Sequence, residues 1–188
     1  MTTRRKTAED RIPGDLDHDQ LIDRFLRVNQ AGELGAVRIY QGQMAVLGKR
    51  KSAAQPLLKR MTEQEQEHLD TFNRLIGERR TRPTLLSPLW HLAGFALGAG
   101  TALLGEKAAM ACTVAVEETI DEHYARQAEQ LGDDEADLKA TIAKFREDEL
   151  EHRDIGLENG AEQAPAYPVL SAAIKGGCRL AIWLSERV

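Results

Sequence analysis

The sequence predicts an all-α protein: a four-helix bundle with an apolar segment crossing between its halves and an amphipathic helix at its C-terminus. Three observations carry that expectation. Apolar residues recur at helical rather than strand spacing in four long segments, glycines stand where three of those segments stop, and the links inside the first and last pairs are short. Each pair should therefore close as an antiparallel hairpin. The 188 residues suffice for one good core and are short for two.

The first helix is expected over 21–47, with Leu26, Val37, Tyr40, Met44 and Leu47 on one stripe and Gly48 as its stop. The second runs over 56–76, with Pro56 in its first turn, the stripe Leu58, Met61, Phe72 and Leu75, and Gly77 closing it. The third spans 106–131 and ends at Gly132; the fourth spans 134–157, with Leu138, Ile142 and Phe145 facing inward. Residues 1–20 are polar and mixed in charge and read as a flexible leader before a single domain over 21–188. The leader has neither the apolar run of a secretory signal nor the acid-poor character of a mitochondrial presequence, which points to a bacterial protein. Inside the crossover, 82–105, the stretch 85–104 carries no charge and is long enough to span a bilayer. Spanning is nevertheless not expected, because it would put the two hairpins on opposite sides of the membrane. The tail, 168–188, mixes Val169, Leu170, Ile174 and Trp183 with Lys175, Arg179 and Arg187, which suits a helix at a lipid interface or one packed on the bundle.

Composition narrows function. A net charge of −5 argues against nucleic acid as the main partner. The two cysteines, Cys112 and Cys178, both lie in apolar stretches, so neither a disulfide framework nor a thiolate metal site is expected.

The apolar stripes carry residues that do not belong in a core. Glu65 and His68 lie between Met61 and Phe72, and Glu149 and His152 follow Phe145; each pair is Glu-x-x-His, placing both side chains on one face. Glu33 sits on the stripe of Leu26, Val37 and Tyr40, and Glu117 among Met110, Val114, Ile120 and Tyr124. The spacing repeats. Glu33 to Glu65 and Glu117 to Glu149 are both 32 residues, and each residue of the first hairpin's set stands 84 before its counterpart in the second. Tyr40 and Tyr124, Gln43 and Gln127, and Asp70 and Asp154 keep the same offset, which reads as an ancient duplication. One Glu-x-x-His on a charged helix is ordinarily solvated surface. Two copies in phase with the core, each matched by a third glutamate, are not.

Four buried carboxylates need counter-charge. Two divalent cations supply it, and carboxylate with imidazole suits iron or manganese. A glutamate from each of two helices plus Glu-x-x-His from each of the other two is the ligand pattern of di-metal bundles. Glu33, Glu65, His68, Glu117, Glu149 and His152 are thus the candidate metal ligands. Asp148 and its counterpart Gln64 could accept a proton from a ligand imidazole on another helix, though Asp148 reads equally as an exposed helix acid. Tyr40 and Tyr124 should lie near the site. His123 is open between a contact beyond the ligands, a substrate contact and a surface histidine. Gly32, Gly35 and Gly42 serve either close helix packing or room for a ligand.

With those residues in view, the sequence resembles the demethoxyubiquinone hydroxylase family of ubiquinone biosynthesis. The resemblance rests on RVNQAGELGAVRIYQGQMAVL (27–47), EQEHL (65–69), ACTVAVEETIDEHY (111–124) and FREDELEHRDIG (145–156). It implies a ferritin-like fold and a centre of two iron ions held by the six residues above, with Glu65 and Glu149 bridging. It also implies hydroxylation by O₂ of a long-chain quinol, demethoxyubiquinol, with His123 and Tyr124 matching the family's His-Tyr pair. Peripheral contact with the cytoplasmic face of a bacterial inner membrane follows from it. A second copy of the chain or an accessory protein of ubiquinone biosynthesis is a candidate partner. The rival reading is an iron-oxidising or iron-storing protein of the ferritin kind. An apolar crossover and tail favour the lipid substrate, and the lack of a Cys-x-x-Cys pair disfavours a rubrerythrin-like peroxidase.

Overall fold

The computed structural model describes residues 14–49, 52 and 54–188. Within them the chain forms α1 (His18–Leu47), α2 (Gln55–Arg79), α3 (Ser87–Leu103), α4 (Glu106–Ala128), α5 (Ala136–Glu158) and α6 (Tyr167–Ser185), with no strand. α1 with α2, and α4 with α5, are the two hairpins. Together they make the all-α bundle that the helical periodicity predicts.

Element ends differ where side chains decide them. Of the leader expected over 1–20, residues 1–13 lie outside the described residues, and its last three are helical. The Asp17 carboxylate accepts from Gln20 N at 2.8 Å while the Gln20 side chain accepts from Asp17 N at 3.1 Å, a reciprocal cap that starts α1 at His18. α2 runs past Gly77 to Arg79, because Arg79 forks onto Glu135 at 2.7 and 2.9 Å and pins the last turn to the α4–α5 link. Arg80, in the left-handed region at φ 55°, ends the helix instead.

Of three core clusters, the smallest, of Ile39, Cys112, Ala115, Val116 and Ile174, seats α6 on the bundle, and the other two plug the bundle along its length. One gathers Tyr40, Leu47, Leu58, Met61, Met110 and Val114; the other gathers Phe25, Leu26, Phe72, Tyr124, Ile142 and Phe145. Each fully buried side chain of this size contributes about 1.5–3 kcal/mol. The Glu and His residues of the stripes fall between the two plugs.

The crossover is a helix laid on the outside of α1. α3 runs parallel to it: Gly94 meets Gly35, Gly98 meets Ile39, and Ala99 meets Gly42. A Cβ at Gly98 would strike the Ile39 carbonyl, and one at Gly42 the Phe95 carbonyl, so glycine is what lets these backbones approach. This rise along α1 allows α2 and α4 to run parallel, as a bundle with one long connection requires. α6 lies parallel to α4, tied by Lys175 to Glu118 and by Arg179 to Glu122 at 3.1 Å. Its far end joins α3, where Trp90 Nε1 donates to Ser185 Oγ at 2.9 Å. No helix of the described residues is long and apolar enough to cross a membrane.

Candidate metal centre

α1, α2, α4 and α5 each deliver one carboxylate to the middle of the bundle. Glu33, Glu65, Glu117 and Glu149 are at most 1 % exposed, and His68 and His152 at most 2 %. Glu33, Glu65, His68 and Glu149 bring ligand atoms within 4.8 Å of one another, and so do Glu65, Glu117, Glu149 and His152. Glu65 and Glu149 belong to both groups, whereas Glu33 and Glu117 each belong to one. The six residues singled out in the sequence are thus brought together, half from each hairpin.

The imidazoles are oriented by reciprocal contacts. His68 Nε2 lies 3.1 Å from Asp148 Oδ2 on α5, and His152 Nε2 lies 3.2 Å from Gln64 Oε1 on α2. An Nε2–H held in this way leaves Nδ1 as the lone pair facing inward, the state a metal ligand needs. His68 Nδ1 sits 3.3 Å from Glu149 and 3.6 Å from Glu33; His152 Nδ1 sits 3.0 Å from Glu65 and 3.5 Å from Glu149. Phe145 stacks on His68 with ring centroids 3.9 Å apart, and Tyr40 meets His152 edge-on at 6.1 Å.

Each tyrosine reaches across to the other hairpin. Tyr40 OH donates to Glu117 Oε1 at 2.5 Å, and Tyr124 OH donates to Glu33 Oε1. Proximity was legible in the sequence; the exchange between halves was not. Burial, and after it Glu117 for Tyr40 and Glu33 for Tyr124, keeps both phenols well above their ordinary pKa, so they stay donors.

The donor set fits two cations. Buried atoms without a hydrogen-bond partner include Glu33 Oε2, Glu117 Oε2, both oxygens of Glu65 and of Glu149, and Nδ1 of both histidines. Leaving so many buried acceptors unsatisfied is costly, and only positive charge at the centre relieves it. Burial, and then repulsion from Glu149, pushes the Glu65 and Glu117 carboxyls well up; burial raises Glu149 as well. For His68 burial opposes protonation, but the carboxylates of Glu149 and Glu33 outweigh it and lift the imidazole to about 12. Protons therefore stand in for the missing charge, and metal binding would release them.

The two halves differ outside this centre. Asn29 and Gln127 exchange amide hydrogen bonds at 2.8 Å, and Gln127 Nε2 lies 2.7 Å from His123 Nε2. With both amide hydrogens of Gln127 so used, His123 Nε2 is an acceptor and the ring is neutral; burial, then Arg126, lowers its pKa to about 4. His123 thus meets Gln127, on the Tyr124 side of the centre. The sequence reading missed Asn29, although a polar residue one turn before Glu33 on the stripe was the available signal. At the repeat offset of 84, the partners of Asn29 and His123 are Thr113 and Ile39, so this network belongs to one half alone.

A second feature adjoins the centre. α1, α3, α4 and α6 enclose an almost wholly apolar groove of about 540 Å³. Gly32 and Val116, the neighbours of Glu33 and Glu117, line it, as do Gly35, Leu97, Ile174 and Cys178. A Cβ at Gly32 or Gly35 would meet nothing within 4 Å. The glycines of α1 therefore divide: Gly42 serves close packing, and Gly32 and Gly35 leave room. Leu89, Leu92, Val169, Leu180 and Trp183 of α3 and α6 are at least 50 % exposed.

Comparison with known proteins agrees with this geometry. The family model of ubiquinone biosynthesis protein COQ7 matches residues 20–185. A Rhodospirillum rubrum protein named 3-demethoxyubiquinol 3-hydroxylase is 71% identical over 98% of this chain and 86% of its own. A Homo sapiens protein named NADPH-dependent 3-demethoxyubiquinone 3-hydroxylase, mitochondrial, is 55% identical over 89% of this chain and 78% of its own. A Saccharomyces cerevisiae 5-demethoxyubiquinone hydroxylase is 45% identical over 89% of this chain and 78% of its own. With a match that runs through every helix of the bundle, the chain belongs to the family of ubiquinone biosynthesis protein COQ7.

Proposed function

We infer that this chain is an O₂-dependent hydroxylase of ubiquinone biosynthesis, acting on the ring of demethoxyubiquinol (2-polyprenyl-3-methyl-6-methoxy-1,4-benzoquinol) at a centre of two iron ions. The observation that carries the reading is the juxtaposition of six converging buried ligands with an apolar groove along α1 and α4. An iron store would have use for the ligands and none for the groove.

Glu33 and His68 would hold one iron and Glu117 and His152 the other, with Glu65 and Glu149, common to both groups, bridging. Bound in reduced form, the pair supplies activation of O₂. The remaining work falls to the chain. Asp148 and Gln64 keep both imidazoles presenting Nδ1. Tyr40 and Tyr124 each occupy one oxygen of Glu117 and Glu33, leaving the other to face inward. The groove takes the isoprenoid tail, aligns the ring beside the centre and keeps water away. Converting the ring C–H to C–OH consumes O₂, two electrons and two protons and yields one water. Mitochondrial relatives are named as NADPH-dependent, so a reduced pyridine nucleotide is the candidate electron source. The exposed apolar residues of α3 and α6, with no helix among the described residues long and apolar enough to cross a membrane, suit a protein lying flat on the cytoplasmic face of a bacterial inner membrane.

Anaerobic loading with ferrous iron, followed by ¹⁸O₂ and a demethoxyubiquinol analogue, tests the reading by mass spectrometry. One labelled oxygen in the quinol is expected. Label from H₂¹⁸O, or mineralised iron without product, would transfer the chain to the ferritin-like reading.

A further inference from the structure

The threonines inside the helices of the described residues behave alike, with one exception. Thr62, Thr71, Thr101, Thr119 and Thr141 each turn the hydroxyl back onto the carbonyl one turn earlier, at 2.6 to 2.9 Å. Thr113 of α4 does not. It is 1 % exposed, yet its hydroxyl has no partner. The carbonyl it would use, that of Ala109, accepts instead from Gln43 Nε2 of α1 at 3.1 Å. A carbonyl only accepts, so this bond fixes which end of the Gln43 amide is nitrogen. The other end, Gln43 Oε1, is fully buried and also without a partner. A donor and an acceptor, both unmatched, therefore flank one carbonyl, and leaving both so is costly.

The internal repeat shows what would match them. At the offset of 84 residues, Gln43 and Thr113 correspond to Gln127 and Asn29, again one residue from α1 and one from α4. There the two amides exchange both hydrogen bonds at 2.8 Å. A threonine hydroxyl stops short of where an asparagine amide reaches, and no direct bond to Gln43 forms. Neither atom is charged, so the pair calls for a neutral guest that accepts from the hydroxyl and donates to the amide oxygen. Water does both, and an apolar guest does neither.

We propose that Gln43 Oε1 and Thr113 Oγ1 together bind one buried water, which ties α1 to α4 and holds Tyr40 against Glu117. Gln43 is one turn from Tyr40 and Thr113 one turn from Glu117, and the Tyr40 hydroxyl donates to Glu117 at 2.5 Å. The bridge thus stands a turn from the bond that leaves the second Glu117 oxygen facing inward. Asn29 and Gln127 make the equivalent tie directly at the Glu33 and Tyr124 end. Gln43 and Thr113 are positioning residues for one of the two metal positions, a role that rests on the reading of the centre as di-iron.

The full-length chain is compared with Thr113→Val, which keeps the shape and removes the hydroxyl, with Thr113→Ser, which keeps the hydroxyl, and with Gln43→Met. Crystals of the wild type should show one water within hydrogen-bonding distance of both atoms. Thr113→Val and Gln43→Met should lose it, and Thr113→Ser should retain it. In anaerobic ferrous titrations, losing the bridge should weaken one of the two irons about tenfold or more and leave the other near wild type. Thr113→Ser should restore that affinity. A dry seam in the wild type would overturn the proposal. So would both affinities unchanged within twofold in Thr113→Val and Gln43→Met, or a loss that Thr113→Ser fails to restore. None of these readouts needs the quinol. Water-dependent iron binding without hydroxylation leaves the site standing and sinks the proposed function; hydroxylation with a dry seam does the reverse.

Discussion

Glu149→Gln is expected to shift stability in opposite directions with and without metal. Glu149 is fully buried, and its oxygens belong to both groups of ligands. With ligand atoms up to 4.8 Å apart, each neighbouring carboxylate repels it by about 3.5 kcal/mol at an effective dielectric of about 20. His68 and His152, at 3.3 and 3.5 Å, each attract it by about 5 kcal/mol when protonated. For the fully ionised set three repulsions and two attractions nearly cancel, so the desolvation of the Glu149 charge is left uncompensated, and the metal-free protein relieves it only by holding these carboxyls protonated. Replacing it by the neutral isostere should stabilise the metal-free protein by about 1–4 kcal/mol, which raises Tm by roughly 2–4 °C per kcal/mol in a chain of this length. With iron present the sign is expected to reverse, because Glu149 belongs to both groups of residues that would hold the two ions. Scanning calorimetry of metal-free and iron-loaded samples, paired with metal analysis, reads both effects. Wild type should hold two irons per chain, Glu149→Gln close to none, and Glu33→Gln and Glu117→Gln about one each. Two irons retained in Glu149→Gln, with a Tm shift of the same sign in both states, would refute the bridging assignment.

Two further outcomes follow from the same geometry. Gly35→Leu, which projects into the open groove, should leave iron loading and stability near wild type while raising KM for long-tailed quinols; Gly98→Ala, driven into the Ile39 carbonyl, should destabilise by at least about 1–3 kcal/mol in urea titration. His123 stays neutral in the fold down to about pH 4, whereas unfolded it takes a proton near 6.5, so its contribution is present above about 6.5 and lost as pH falls through about 4, about 3 kcal/mol in all. His123→Gln should flatten that part of the stability–pH curve, and an unchanged slope would show that the acid sensitivity arises elsewhere.

What the sequence by itself determined is what helical periodicity can express. An acid on an apolar stripe is buried wherever the helix packs, so Glu33, Glu65, Glu117 and Glu149 were legible as an inward set. The shared offset of 84 residues paired them before any contact was known. The helical pattern also required the crossover to return along the bundle. Periodicity fixes which face a residue occupies, and it does not measure distances between faces of different helices. Only the tertiary structure decided that Asp148 meets His68 rather than solvent, that Tyr40 and Tyr124 exchange partners across the hairpins, and that Asn29 joins Gln127 and His123. The same limit applies to glycine, whose sequence signature is identical whether a backbone or a void lies opposite. α3 fills the space beside Gly42, and nothing fills that beside Gly32 and Gly35, because α6 stands off from α1 and leaves the groove between them.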